Sequence, residues 1–318
     1  GGTMMNDTGN TLQPHLRKRH RYFTKHNLPL HLMILPAIIL VLIYKYIPLG
    51  GSIIAFQNFK LSKGIAGSAF VGFANFRYIL EMPNFLNVLR NTVVIATGKM
   101  IGNLVVPIIF ALLLNEVSHS GFKRTVQTVL YLPYFLSWII LAGLFTDVLA
   151  TNSGIVNQLL KSIGMQPIPF LSDEKLFPGT MIVTDVWKNF GYGTIVYLAS
   201  LASIDPALYE SAMIDGANRW KQTWHITLPG LRSIVVLMAL LSLGSILSAG
   251  FDQVYNLLNP LVKGTGEIID TVVYTMSVGG SGMYGQATAL GLMNSLVSFL
   301  LVSVGYVLAD KFADYRIF

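Results

Sequence analysis

The chain has 318 residues, of which 53% are apolar and 12% are Asp, Glu, Lys or Arg. Soluble globular proteins carry roughly 25% charged residues, so this composition excludes an ordinary soluble enzyme, a disordered chain and a coiled coil. The net charge is +7, and the chain has no cysteine, which excludes disulfides, thiolate zinc sites and a cysteine nucleophile. Five basic residues lie in the N-terminal tail directly before an apolar run, which favours a cytoplasmic membrane flank over a nucleic-acid partner.

Six windows along the chain hold the ~20 mostly apolar residues that a helix needs to cross a bilayer. They predict spans at residues 31–54, 91–114, 126–149, 180–201, 231–249 and 287–308. The sequence therefore predicts an all-α integral membrane protein with six transmembrane helices. Residues 1–29 are predicted to be a basic tail, whose first three residues precede Met4 and look like a cloning remnant, and residues 30–318 the transmembrane domain. The distribution of Lys and Arg places both termini in the cytoplasm.

The inner loop at residues 202–232 has the pattern of two short helices joined by a turn. Asp205 is a good N-cap and Pro206 suits the first helical position. Gly216 is predicted to end this helix, and an amphipathic stretch with two tryptophans follows it. Such an element outside the membrane exposes apolar residues, so it needs a partner surface to dock against.

This loop resembles the signature of binding-protein-dependent ABC importer permeases. The family pattern is Glu-Ala-Ala, three residues, Gly, nine residues, Ile-x-Leu-Pro, and it fits Glu210-Ser211-Ala212, Gly216 and Ile226-Thr227-Leu228-Pro229, with Ser211 as the one departure. The resemblance implies a cytoplasmic coupling helix between spans four and five that docks in a groove of an ATP-hydrolysing subunit. It assigns this contact to Glu210, Ser211, Ala212, Asp215 and Gly216.

Shorter stretches are similar to the carbohydrate-uptake permeases, in particular to the subgroup that imports complex oligosaccharides with a lipoprotein binding subunit. Residues 71–76, 122–125 and 131–133 are similar to the carbohydrate-uptake permeases in general, and residues 29–33, 115–117 and 219–222 are similar to this subgroup. The resemblance implies four partners besides the lipid bilayer: a second homologous permease, two ATP-hydrolysing subunits and an extracytoplasmic sugar-binding protein. It also implies a place in the bacterial cytoplasmic membrane and import of oligosaccharides by ATP-driven alternating access.

The chain is not predicted to be an enzyme. It has no Gly-x-x-x-x-Gly-Lys-Ser/Thr loop, so ATP and Mg are expected in the partner ATPase subunits, and no cofactor is expected in this chain. Its six histidines show no ligand spacing, so no metal site is predicted. An intramembrane hydrolase at Gly280-Ser281-Gly282 would lack a histidine base.

Polar residues inside predicted spans are costly, which makes them candidates for a substrate path. Asp185, Lys188, Asn189 and Tyr192 have the i, i+3, i+4, i+7 spacing of one helix face. One interpretation is a sugar contact strip. The other is an Asp185–Lys188 ion pair that only ties span four to its neighbours. Further candidates are Trp187, Tyr197, Trp138 and Asn294, together with Lys99, which either snorkels to the interface or attracts an acidic sugar.

An ion-coupled secondary transporter of a small polar solute is the alternative function. It would use a buried acid such as Asp185 or Asp252 to bind protons or Na⁺. It leaves the pattern at residues 205–229 without a role.

Overall fold

The computed structural model describes residues 28–244 and 246–313. The predicted basic tail at residues 1–29 lies outside the described residues except for its last two positions. The chain divides into two units, one ending at Gly51 and the other beginning at Ser52.

Most of the described chain is helical. The α-helices are α1 (Leu28–Val41), α2 (Ile47–Leu49), α3 (Gly64–Gly67), α4 (Ala74–Glu81), α5 (Phe85–Asn115), α6 (Ser120–Tyr131), α7 (Trp138–Val148), α8 (Ile155–Ser162), α9 (Phe177–Leu201), α10 (Pro206–Ile214), α11 (Arg219–Gln222), α12 (Leu228–Gly230), α13 (Arg232–Leu243), α14 (Phe251–Leu257), α15 (Lys263–Gly266), α16 (Ile269–Ser277) and α17 (Tyr284–Ala313). Four 3₁₀ segments and two π segments complete the helical structure: Gly50–Phe56, Leu132–Phe135, Ile246–Ser248 and Pro260–Val262, then Leu42–Tyr46 and Thr223–Thr227. Two short antiparallel strands, β1 (Gln57–Asn58) and β2 (Ala69–Phe70), pair with Gln57 opposite Phe70.

Three helical runs are long and apolar enough to cross a membrane: His31–Phe56, Phe85–Asn115 and Tyr284–Leu308. They confirm the predicted first, second and sixth spans. Two bent helix pairs raise the number of candidate spans in the described residues to as many as five. The helix α9 covers the predicted fourth span and has 25 residues, which is enough length to cross, but it is not among these apolar candidates.

The predicted third span, residues 126–149, is not one uninterrupted helix. The helical run Ser120–Phe135 and the helix α7 are bent by 103° relative to each other. Pro133 at the break lacks a backbone N–H, and the hydroxyl of Ser137 caps the new helix by accepting from the N–H of Ile140 at 3.4 Å. The predicted third span is therefore a bent helix pair in the structure, since the helix restarts in another direction after Ser137.

The predicted fifth span, residues 231–249, overlaps the second bent pair, Arg219–Gly230 with Arg232–Leu243, but does not continue as one helix to residue 249. The helix α13 ends at Leu243, and a 3₁₀ segment leads to a left-handed junction with φ of 44° at Ala249 and 81° at Gly250. Two successive positive φ angles are incompatible with a right-handed helix. The chain therefore changes direction here before α14 begins at Phe251.

The long helices α5 and α9 pack closely side by side through glycines. A Cβ atom at Gly98 would lie 2.3 Å from Ile182 Cδ1, and one at Gly102 would lie 2.4 Å from Val186 Cγ2. Apolar lipid provides no hydrophobic driving force between spans, so small residues that permit close approach hold such helices together. This helix pair positions the polar residues described below.

Candidate functional site

The segment at residues 205–227 is called the docking segment below. Its first helix, α10, begins and ends as the sequence predicts. The Asp205 side chain accepts a hydrogen bond from the N–H of Ala207 at 2.9 Å, and Pro206 is the first residue of α10. At the other end, the N–H of Ala217 donates to the Ala212 carbonyl at 2.8 Å and the N–H of Gly216 donates to the Met213 carbonyl at 3.1 Å. These two bonds form a Schellman motif, in which Gly216 takes the left-handed position with φ of 75°.

The second half of the docking segment is fixed to the first. The Asn218 side chain caps α11 by accepting from the N–H of Lys221 at 2.9 Å. The Tyr209 hydroxyl of α10 lies 3.0 Å from the Thr227 hydroxyl, which is buried. The segment is therefore a folded pair of short helices with a defined angle rather than a loose loop.

The outer surface of the docking segment is apolar and exposed. Ile214 has 88% of its surface exposed, and the rings of Trp220 and Trp224 meet edge to face with centroids 6.1 Å apart. A cleft of about 310 Å³ separates the two helices and is lined by Ala212, Asp215 and Ala217 on one side. An exposed apolar patch of this kind marks an interaction surface, for a protein, a membrane or a ligand.

The predicted contact residues of the docking segment are accessible to a partner. Glu210, Ser211, Asp215 and Gly216 are exposed, and Ala212 is half-buried beside the cleft. An exposed ion pair between Arg219 and Glu116 connects the segment to the end of α5.

A second polar site lies where α9 packs against α5. Asp185 is buried, and its carboxylate accepts hydrogen bonds from Asn103 Nδ2 at 2.9 Å and Asn189 Nδ2 at 3.2 Å. The other carboxylate oxygen lies 3.7 Å from the ammonium of Lys99. The ion-pair partner of Asp185 is therefore Lys99, and the Asp185–Lys188 ion pair, one of the two interpretations from the sequence, does not form among the described residues. The i, i+3 spacing placed Lys188 on the same face, but Lys188 turns toward the broken third span.

Lys99 connects this network to the left-handed junction at Ala249 and Gly250. Its ammonium donates to the Ala249 carbonyl at 2.7 Å and to the side-chain oxygen of Gln253. The amide of Gln253 in turn donates to the Thr184 hydroxyl at 2.7 Å. Lys99 does not snorkel to an interface, because a free carbonyl at the left-handed junction and a buried carboxylate satisfy its charge internally.

Lys188 makes an analogous contact at the break in the third span. Its ammonium donates to the Tyr134 carbonyl at 2.9 Å and lies 5.3 Å from the Tyr134 ring and 5.7 Å from the Trp138 ring. The Tyr134 ring stacks on Tyr192, with centroids 4.3 Å apart and planes within 7°. Lys188, Tyr134, Trp138 and Tyr192 are called the lysine–aromatic cluster below.

The remaining residues predicted for the substrate path do not belong to either polar group. Tyr197 is fully buried in an apolar cluster with Ala111 and Leu231, and its hydroxyl has no partner among the described residues. Trp187 is exposed and meets Phe145 edge to face. The Asn294 amide Nδ2 donates to the carbonyl of Leu247, in the 3₁₀ segment after α13, at 3.5 Å.

Sequence reasoning missed Tyr134, Asn103 and Gln253 as members of these polar groups. Tyr134 follows Pro133, which is a signal for a helix break and hence for a free carbonyl nearby. Asn103 lies four residues after Lys99 on one helix face, so it could have been found with it. Gln253 gave no signal, because it follows a left-handed junction that the apolar pattern does not mark.

These features define a polytopic membrane protein with bent candidate spans and an exposed pair of short helices. A family model described as "Binding-protein-dependent transport system inner membrane component" matches residues 103–314, and the chain belongs to this family. It is 40% identical to the polygalacturonan/rhamnogalacturonan transport system permease protein YteP of Bacillus subtilis (strain 168), over 91% of this chain and 90% of that protein.

Two solved structures are similar over nearly the whole chain. The first is a bacterial ABC transporter involved in the import of the acidic polysaccharide alginate, with a TM-score of 0.83 and 34% identity over 91% of this chain and 97% of that chain. The second is a bacterial alginate ABC transporter in complex with an alginate pentasaccharide-bound periplasmic protein, with a TM-score of 0.84 and 33% identity over 92% and 98%. The chain is therefore a permease subunit of an ABC transport system.

Proposed function

We propose that this chain is one membrane-spanning subunit of a bacterial ABC importer that takes up oligosaccharides by ATP-driven alternating access. The docking segment carries the proposal, since a folded helix pair between two membrane-crossing regions, with exposed apolar side chains such as Ile214, is suited to contact another protein. The relatives support the substrate class, because their descriptions name transport of polygalacturonan or rhamnogalacturonan and import of alginate.

The proposed topology has six spans. Besides the three apolar helices, they are the bent α6–α7 pair, α9, and α13, which begins after the docking segment. A 25-residue helix such as α9 is ~37 Å long, which exceeds the ~30 Å hydrocarbon core. Both termini and the docking segment lie in the cytoplasm, residues 1–29 form the basic tail, and residues 30–318 form the transmembrane domain.

The proposed partners are a second homologous permease, two ATPase subunits that hold ATP and Mg²⁺, and an extracytoplasmic sugar-binding protein. The docking segment acts as the coupling helix. Glu210 and Asp215 offer carboxylates to cations of the ATPase, and the small residues Ser211, Ala212 and Gly216 let its backbone come close. Closure of the ATPase pair would pull this rigid segment and, through α12 and α13, the membrane helices.

The predicted substrate residues receive two different roles. The lysine–aromatic cluster, with Trp138, Lys188 and Tyr192, is proposed to line the path. Asp185 and Asn189 hold the junction between α5, α9 and the broken fifth span. Trp187, Tyr197 and Asn294 are proposed to support the helices around the path.

The experiment that tests the proposal compares two exposed isoleucines in a reconstituted complex. Ile214→Asp is expected to abolish the stimulation of ATP hydrolysis by the loaded binding protein, because it places a charge in the centre of the docking surface. Ile163→Asp is the matched control, since Ile163 is 71% exposed but lies at the end of α8, outside the docking segment. Full stimulation with Ile214→Asp, or equal loss with both variants, would contradict the proposed coupling role.

A further inference from the structure

The intramembrane charges around α9 do not balance. Two lysines, Lys99 and Lys188, and one acid, Asp185, are buried there in the described structure. Charged side chains at membrane depth face a bundle interior or a water-filled cavity, and they pair with an opposite charge or with carbonyls. One excess positive charge is therefore present in the helix pair, and the question is which lysine carries it.

Lys99 is fully engaged. A lysine ammonium has three N–H donors. Those of Lys99 face the Ala249 carbonyl, the Gln253 side-chain oxygen and the Asp185 carboxylate. The Asp185 carboxylate also has its partners within the protein, since one oxygen faces Lys99 and the other accepts hydrogen bonds from the amides of Asn103 and Asn189. This part of the network has no unpaired charge left for a ligand, and its one buried side-chain atom without a partner among the described residues is an acceptor, the oxygen of Asn103.

Lys188 keeps unused capacity. Within the described residues its ammonium donates one hydrogen bond, to the Tyr134 carbonyl, and lies near two aromatic rings, while the Asp185 carboxylate attracts it only from beyond ion-pair contact. It has 8% of its surface exposed. A carbonyl and ring faces satisfy a cation only partly, whereas a carboxylate would neutralise it and accept a charge-assisted hydrogen bond. Among the described residues, Lys188 is therefore the buried cation with no carboxylate in ion-pair contact.

The rings around Lys188 have the form of a sugar-binding surface. Tyr192 is 47% exposed, and Tyr134 beside it is also exposed. Aromatic rings present a flat apolar face together with a polar edge, and a pyranose ring offers a matching apolar face. The combination of exposed rings with one unpaired cation fits a sugar ring that carries its own carboxylate.

We propose that Lys188 is the specificity-determining residue of a uronate subsite, in which a carboxylate of the passing oligosaccharide meets the Lys188 ammonium and its ring packs on Tyr192. The proposal rests on the proposed function and narrows its substrate to acidic oligosaccharides. Asp185, by contrast, takes no part in substrate contact, because its partner is Lys99.

The test uses the complete complex of both permeases and both ATPases in proteoliposomes, with the sugar-binding protein. The two probes are tetragalacturonate and its fully methyl-esterified form, which has the same rings and no charge, each at a concentration that saturates the binding protein. Lys188→Gln is expected to lower the initial uptake rate of the acid at least ten-fold and that of the ester less than two-fold. Glutamine retains an N–H that can donate to the Tyr134 carbonyl, so the break in the third span keeps its contact.

Three further variants make the result specific. Lys188→Arg keeps the charge and is expected to retain most of the acid uptake. Tyr192→Ala removes the ring and is expected to lower the uptake of both probes. Lys175→Gln, at an exposed position between α8 and α9, is the matched control and should leave both rates unchanged.

An equal effect of Lys188→Gln on both probes, or no effect on either, would show that Lys188 only caps the Tyr134 carbonyl and would overturn the subsite. A wild-type complex that imports the ester but not the acid would also overturn it. Failure of the proposed function has a different signature, since ATP hydrolysis by the wild-type complex would then not respond to the loaded binding protein at all.

Discussion

Replacement of Asp185 tests whether the buried network is built as the structure shows. Asp185→Asn keeps the shape of the side chain but removes the charge that faces Lys99 at 3.7 Å. It also turns one acceptor into a donor beside the amides of Asn103 and Asn189, which already donate to this site. Removing one partner of a buried ion pair typically costs about 3–5 kcal/mol, because the other charge is left buried and unpaired.

The structure also predicts which second substitution should restore the stability lost in Asp185→Asn. Lys99→Met removes the stranded cation, and replacing both members of a buried pair by neutral groups is often close to neutral. Lys99→Met also gives up the bond to the Ala249 carbonyl, and an unsatisfied buried carbonyl costs about 1–3 kcal/mol. The double variant Asp185→Asn with Lys99→Met should therefore recover part of the stability, and Asp185→Asn with Lys188→Met should recover none.

The assay is the apparent melting temperature of the assembled complex in nanodiscs, together with the yield of complete complex after purification. The expected order of stability is wild type, then the double variant with Lys99→Met, then the single variant and the double variant with Lys188→Met. Better rescue by Lys188→Met than by Lys99→Met would refute the assignment of the ion pair. An unchanged melting temperature for Asp185→Asn would show that the site is open to water and not part of a dry network.

Two further predictions concern packing and pH. Gly191→Ala should destabilise the complex by about 1–3 kcal/mol or more, because a Cβ atom there would lie 2.0 Å from the Leu130 carbonyl oxygen. The control is Gly179→Ala in the same helix, where a Cβ atom meets open space. It should be neutral or slightly stabilising in the same melting assay. Burial raises the pKa of Asp270, in the first turn of α16 between the fifth and sixth spans, from 3.8 to about 6. Since the folded state holds this proton more tightly than the unfolded state, its contribution to stability is complete below about pH 4 and is lost as the pH rises through 6. The melting temperature of Asp270→Asn should therefore fall less between pH 4 and pH 7 than that of the wild type, and parallel curves would contradict the assignment.

The local features of the docking segment could be predicted from the sequence, because local chemistry determines them. Asp205 and Pro206 define a helix start through capping and a restricted φ angle, and Gly216 defines its end because glycine adopts the left-handed conformation at little cost. The spans represented by α1, α5 and α17 follow from length and hydropathy in the same way. These properties depend on residues that are neighbours along the chain, so one sequence is enough to predict them.

The tertiary structure decided where the spans break and which charges pair. Hydropathy continues through the breaks near Pro133 and Ala249, so an apolar window does not reveal them. Helical spacing placed Asp185 and Lys188 on one face, but side chains on one face can turn to different neighbours. Lys99, 86 positions away in sequence, reaches Asp185 because glycines bring α5 and α9 close together, while the broken third span offers Lys188 a carbonyl and two rings. Pairing across helices depends on packing at long sequence separation, and only the folded chain contains that information.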